Sequence, residues 1–342
     1  MKLFIFGSTG DLVKRKVMRA LQELDKPELE IYAIGRRELD KEAYRNFICS
    51  DWCRPEFRKN LHYLKIEFDK FDFNEFRGNM DKKEINYFYI SLPPFMQKKA
   101  FLILDSISRE GYKIQILSEK PFGGNLKEAL ELSKIINRSS LKKSFFISDH
   151  YLFKGGFLNL SGDFRKIKIV SLEELGLEGR NSYYDSVGAL RDMVQSHFLN
   201  LLMKNLNFKM NLSKIKILDF VKGQYIGYEE ELGNRSNTET FIYLKFNCRE
   251  REFEFATGKA MDKKKSFIEI DNKRFEAGED NSYMEIFRRF FNSEMKDFPS
   301  IKDSILGWKI IEEIEKLSEK RNLVYYKKGS KLKDVLEKRK NS

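Results

Sequence analysis

Two stretches of this sequence could hold phosphate groups, and only three histidines are available to take a proton. The turn Gly7-Ser8-Thr9-Gly10-Asp11-Leu12 follows an apolar run directly. Glycines at such a turn let the backbone approach a pyrophosphate, and the amides that open the next helix bind the anion. A tight structural turn has the same composition, and the spacing departs from GxGxxG because Val13 holds the later position. Further on, Gly35 is followed by Arg36-Arg37, where an NAD enzyme places an acid for the ribose hydroxyls. Two planar guanidinium forks suit a 2′-phosphate, so NADP is expected, with NAD as the weaker alternative. His62 lies in a strand-like segment and reads as structural, whereas His150 follows Asp149 and precedes Tyr151. His197 shares an apolar helical face with Met193, Val194, Phe198 and Leu201, and periodicity alone favours a core histidine there over a base.

The elements that must position these residues alternate in type. Strand-like runs at Leu3–Phe6, Ile31–Ile34, Tyr63–Phe68, Tyr87–Ile90, Ile114–Leu117 and Phe145–Ile147 are separated by helical patterns, the first over Leu12–Leu24. That alternation predicts a doubly wound parallel sheet of the Rossmann type over residues 1–150. Strand-like segments then recur at Lys166–Glu173, Lys214–Phe220, Thr240–Phe246, Glu252–Thr257 and Ser266–Ile270. Arg251 to Thr257 alternates polar and apolar, as an antiparallel sheet with one wet face requires. Residues 151–342 are therefore expected to form an α+β domain with a large antiparallel sheet, beside which the helical stretches Ser282–Phe291 and Ser304–Lys320 pack.

Composition narrows the class. A chain of 342 residues exceeds the usual single core, so two domains are natural. Its apolar runs are too short to span a bilayer and its amino terminus too short for a signal peptide, so a soluble cytoplasmic protein is expected. The net charge of +12 is dispersed, with basic residues beside acids throughout, which argues against nucleic acid as a partner and suits a small anionic substrate. Cys49, Cys53 and Cys248 are odd in number and lack CxxC spacing, so neither a disulfide framework nor a metal site is expected.

Gly7 to Lys16, read as GSTGDLVKRK, resembles the GxxGDLxxRK opening of the glucose-6-phosphate dehydrogenase family. In the family's order follow Ser91-Leu92-Pro93-Pro94, Glu119-Lys120-Pro121-Phe122-Gly123, Asp149-His150-Tyr151-Leu152-Phe153-Lys154, Glu178-Gly179-Arg180 and the run from Tyr184 through Asp192 to His197. Gly223-Gln224-Tyr225, Thr238-Glu239-Thr240-Phe241 and Gly258-Lys259 continue the match. Phe153, Gly155 and Ser196 depart from the family's pattern, and residues 246–255 lack its W-x-G-V-P-F stretch.

The resemblance implies oxidation of C1 of a hexose 6-phosphate, glucose 6-phosphate first among them, to the lactone in the oxidative pentose phosphate pathway. By resemblance His197 is the general base and Asp149 orients its imidazole. His150, Tyr151 and Lys154 hold the substrate's phosphate, with Lys259 as a second phosphate ligand. Glu173 and Asp192 accept hydrogen bonds from the sugar, and Lys120 bridges substrate and nicotinamide. Gly7, Ser8, Thr9, Gly10, Asp11, Leu12, Arg36, Arg37, Pro93 and Lys120 would line the cofactor. A homodimer or homotetramer is implied, with the second sheet as the dimer surface, whose exposed face should then carry aromatics. Two other readings compete: a sugar dehydrogenase of the glucose-fructose oxidoreductase type, and a retired NADP-binding protein without catalysis.

Overall fold

The computed structural model describes residues 1–66, 77–158, 160, 163–177, 179, 181–278, 281–318 and 321–338. The end of the expected strand at Glu67–Phe68, the motif residues Glu178 and Arg180, and the helix end at Glu319–Lys320 lie outside them. The chain divides into two compact units, one of Met1–Phe153 with Asn281–Lys302 and one of Lys154–Asp280 with Asp303–Ser342.

The first unit is built on β1 (Lys2–Phe6), β2 (Glu30–Gly35), β3 (Leu61–Lys65), β4 (Asn86–Ile90), β5 (Ile114–Glu119) and β6 (Phe145–Ser148). They pair in the order β3-β2-β1-β4-β5-β6, every pair parallel. Leu3, Phe4, Ile5 and Phe6 are all fully buried, because a parallel sheet is covered on both faces and its central strands read as continuous apolar runs. Phe4 stacks on Tyr32 and on Phe88, each at 5.0 Å, and ties β1 to both neighbours. The helix Pro94–Arg109 buries Ala100, Phe101, Leu104 and Ile107. Asn125 starts the helix Leu126–Arg138 by accepting the Glu128 N–H at 2.9 Å, an ordinary N-cap.

Three expectations need correction. The helix Ser282–Phe291 belongs with the first unit, not beside the second sheet. Its apolar face explains why: Phe287 meets Tyr89 at 5.3 Å, and Phe290 meets Tyr87 at 5.5 Å and Phe146 at 5.3 Å. Cys49 and Cys53 are joined as a disulfide, while Cys248 is free and buried. The helix Lys41–Cys49 ends at Ser50 with φ +45°, and the chain turns back to leave the two Cα atoms 5.1 Å apart, within disulfide reach.

The third correction concerns the second sheet, formed by β7 (Lys166–Leu172), β8 (Ile215–Tyr225), β9 (Phe241–Cys248), β10 (Arg251–Gly258), β11 (Lys265–Ile270), β12 (Lys273–Glu276) and β13 (Val324–Tyr326). Its order is β12-β11-β7-β10-β9-β8-β13, antiparallel except for the β7–β10 and β8–β13 pairs. One row across this sheet alternates in charge where aromatics were expected: Asp219, Lys245, Glu254, Lys168, Glu269 and Arg274. Lys168 and Glu254 form an ion pair at 2.6 Å. Opposite charges directly across strands stabilise pairing, so this part of the face is satisfied within the sheet. The next row on the same face, Val221, Tyr243, Ala256, Val170 and Phe267, is buried. Among the described residues no helix is long and apolar enough to cross a membrane.

Candidate active site

In a parallel sheet the loops after the strands gather at the carboxyl edge, where ligands bind in open α/β folds. The expected cofactor residues of the first unit follow that rule: Gly7 to Leu12 follow β1, Arg36 and Arg37 follow β2, Pro93 follows β4, and Lys120 follows β5. Gly7 has φ +81°, and a Cβ there would lie 2.1 Å from the Ser91 carbonyl oxygen, so only glycine fits. The Gly7 and Ser8 N–H groups donate to the Ile34 carbonyl at 3.1 and 3.0 Å, locking the loop to the end of β2. The Ser8 hydroxyl is fully buried and makes no hydrogen bond among the described residues, as a group reserved for a ligand would. Thr9 and Gly10 are half-buried beside it, and Asp11 is exposed and paired with Arg15 at 2.7 Å.

Arg36 and Arg37 are both exposed. The Arg37 guanidinium lies 5.1 Å from the centre of the Phe47 ring, and the Lys14 ammonium lies 4.5 Å from the same ring. Phe47 thus gathers a second cation, Lys14 of the GSTGDLVKRK run, to this corner. The residues present fit a dinucleotide cofactor: a glycine cradle, a buried unpaired hydroxyl, a helix N-terminus and nearby cations.

Lys120 opens a turn that a buried side chain reads closely. Gln97 donates to the Pro121 carbonyl at 2.9 Å and accepts the Gly123 N–H at 3.0 Å. Glu119, just before Lys120, is buried and accepts the Tyr89 hydroxyl at 2.6 Å. Asp149 is fully buried, and its carboxylate accepts the Tyr151 N–H at 3.1 Å, holding the single turn over His150–Phe153. The His150 ring lies between Tyr151 at 5.1 Å and Tyr283, stacked at 5.8 Å. Tyr283 comes from the returning segment, and no local signal in the sequence marks it.

The second unit holds another group. Lys259, after β10, is buried and ion-paired with Glu173, after β7. Its ammonium also lies 5.0 Å from the Tyr184 ring centre. The Tyr184 hydroxyl is pushed well above its usual range by burial first, then by Asp192, Glu239, Tyr326 and Glu173. Lys259 thus touches both Glu173 and the Tyr184 ring. His197 is buried on the helix Leu190–Phe198 together with Val194 and Phe198, whose ring meets Phe255 at 5.4 Å. Ser196 turns its hydroxyl back onto the Asp192 carbonyl at 2.9 Å. Lys154 is half-buried, and its carbonyl accepts the Phe157 N–H at 2.8 Å. His62, by contrast, stacks on Tyr32 at 4.8 Å in the first unit.

Burial raises the Glu119 carboxyl above its usual range, against the lowering effects of Tyr89, Ser148 and Lys120. A carboxyl raised in the folded state contributes stability that is present below its unfolded pKa and lost as pH rises through the folded value. Glu119→Gln should remove that part of the decline. The melting temperature of the variant, relative to the parent, should rise from acid toward neutral pH; a difference constant with pH would show that Glu119 does not titrate as described.

The family described as Glucose-6-phosphate dehydrogenase, NAD binding domain, matches residues 4–159, and its C-terminal domain matches residues 162–206. A glucose-6-phosphate 1-dehydrogenase of Helicobacter pylori (strain ATCC 700392 / 26695) is 31% identical over 287 residues, covering 71% of this chain and 68% of that protein. A solved glucose-6-phosphate dehydrogenase in complex with its substrate superposes with a TM-score of 0.81 at 20% identity, over 99% of this chain and 97% of that one. The corresponding structure from Mycobacterium avium gives 0.80 at 20% identity, over 96% and 94%. Both domains match in order, and the two sheets are those of the solved structures, so the chain belongs to the glucose-6-phosphate dehydrogenase family.

Proposed function

We propose that this chain oxidises C1 of glucose 6-phosphate to the lactone, with NADP as the cofactor. One observation carries the activity: the match to the family extends over both domains and most of the chain, down to the order of the motifs that bear chemistry. It favours this reading over a dehydrogenase of unphosphorylated sugars and over a binding protein without catalysis. When bound, the nicotinamide supplies the hydride acceptor.

The chain's own residues must remove a proton from the C1 hydroxyl and hold the sugar still. His197 is the base, because a neutral imidazole accepts that proton near neutral pH. Asp149 serves it, holding the tautomer and stabilising the charged ring, as carboxylates do in other acid-base pairs. His150, Tyr151 and Lys154 take the phosphate through charge-assisted hydrogen bonds, and Lys259 adds a second cation. Glu173 and Asp192 accept from sugar hydroxyls, and Lys120 orients substrate against cofactor. The burial of His197 and the pairing of Lys259 with Glu173 beside Tyr184 support the roles given to these residues.

The preference for NADP rests on Arg36 and Arg37 in place of an acid after β2, with Lys14 gathered to the same ring as Arg37. Gly7, the buried Ser8 hydroxyl, Thr9, Gly10 and the helix opened by Asp11 and Leu12 would hold the pyrophosphate, and Pro93 would line the site. Changing both arginines to alanine should weaken NADP far more than NAD by calorimetry; equal losses would overturn the 2′-phosphate assignment.

His197→Asn tests the base directly. The variant should fold, bind glucose 6-phosphate with little change and lose about 10² to 10⁴ in kcat, the usual cost of a missing general base. Near-normal kcat would return His197 to the role of a core histidine.

A further inference from the structure

The helix that carries His197 does not begin where the preceding helix ends smoothly. The helical run Asn181–Ala189 is broken at Gly188, whose φ of +70° and ψ of 172° lie outside any helical region. That conformation belongs almost only to glycine. A new helix starts after the break, so its first N–H groups lack partners within it. One residue supplies them: the Ala189 N–H donates to the Glu239 carbonyl at 3.0 Å, and the Leu190 N–H donates to the Glu239 carboxylate at 2.9 Å. A Cβ on Gly188 would lie 2.5 Å from that carboxylate, so the glycine both makes the break and leaves room for the cap.

Glu239 lies far from this helix in sequence, at the entry to β9, and its neighbour continues the connection. The Thr240 carbonyl accepts the Lys259 N–H at 2.9 Å, and the Tyr326 hydroxyl donates to the Lys259 carbonyl at 2.8 Å. The two residues Glu239-Thr240 therefore tie the start of the helix bearing Asp192 and His197 to the backbone that presents Lys259. Burial raises the Glu239 carboxyl, opposed by the N–H groups it accepts and by Arg191. Its carboxyl oxygen is held there as an acceptor for the helix N-terminus.

We infer that Glu239 is a positioning residue for catalysis: through the break at Gly188 it fixes the axial setting of the helix on which His197 sits about two turns further on. Glu239 touches no reacting atom in this scheme. Its effect is on geometry, and small displacements of a base suffice to slow proton removal. The inference rests on the reading of His197 as the base.

The test compares Glu239→Ala, Glu239→Gln and Gly188→Ala with His197→Asn, using glucose 6-phosphate and NADP, with thermal melting alongside. Glu239→Ala should lose about 10- to 100-fold in kcat, with a much smaller change in KM for glucose 6-phosphate. Glu239→Gln keeps an oxygen for the Leu190 N–H and should recover most of that loss. Gly188→Ala should show the same kcat defect, and combining it with Glu239→Ala should add little, since both disturb one cap. Wild-type kcat in Glu239→Ala, or a Gln variant as impaired as the Ala variant, would overturn the inference. If Glu239→Ala does not fold, Gly188→Ala decides: a kcat loss of about 10- to 100-fold with little change in KM supports the inference, and wild-type kcat overturns it. Normal turnover in His197→Asn would sink the base assignment instead, so the two failures are distinguishable.

Discussion

Six strands running the same way impose the constraint on which the first unit depends. Every strand of a parallel sheet ends at one edge, so the residues after β1, β2, β4, β5 and β6 are delivered to that edge whatever the intervening helices do. The chain uses that edge for five different tasks: a glycine cradle, a pair of arginines, a proline that starts a helix, a lysine turn held by Gln97, and a buried aspartate that holds the single turn after it. The sheet can do this because Phe4, Phe88 and Tyr32 stack across its centre and fix the strands' relative height. Loop chemistry then inherits the precision of a packed core.

The second unit solves a different problem. Its strands are mostly antiparallel, so their ends are distributed over both edges, and the residues proposed for the sugar are linked by bridging contacts instead. Lys259 and Glu173 follow two neighbouring parallel strands, β10 and β7, and pair across them. The Glu239-Thr240 step links that pair to the helix of Asp192 and His197. Buried carboxylates and hydroxyls are costly unless bonded, so such a network either closes fully or destabilises the fold. Here Glu239, Thr240 and Tyr326 each find a partner.

Much of this was legible in local pattern. The apolar runs of β1 and β4 announce a sheet covered on both faces, and Gly7 announces a turn that no other residue could make. The motifs around Lys120, Asp149 and His197 carried the resemblance to the family, although periodicity alone could not separate a base from a core histidine. What was not legible depends on distance along the chain. Nothing near Ser282–Phe291 says that its phenylalanines pack against β4 and β6, because an amphipathic helix specifies a face and not its partner. The Cys49–Cys53 link needs the reversal at Ser50, which spacing does not show. The alternating charges from Asp219 to Arg274 come from five strands plus a short sixth, and each strand alone reads only as polar. Glu239 stood in a recognised motif, but its task appears only when the break at Gly188 is seen beside it.

Oxidation of a phosphorylated sugar is the activity on which the assigned cations and the base converge. The most direct measurement is the rate of nicotinamide reduction by the purified protein with glucose 6-phosphate and with free glucose, each with NADP and with NAD. NADP should be reduced rapidly with glucose 6-phosphate and NAD more slowly, with a kcat/KM for free glucose lower by orders of magnitude, because the cations assigned to the phosphate would be left without a partner. Equal rates with the free and phosphorylated sugars, or no reduction with either, would contradict that assignment.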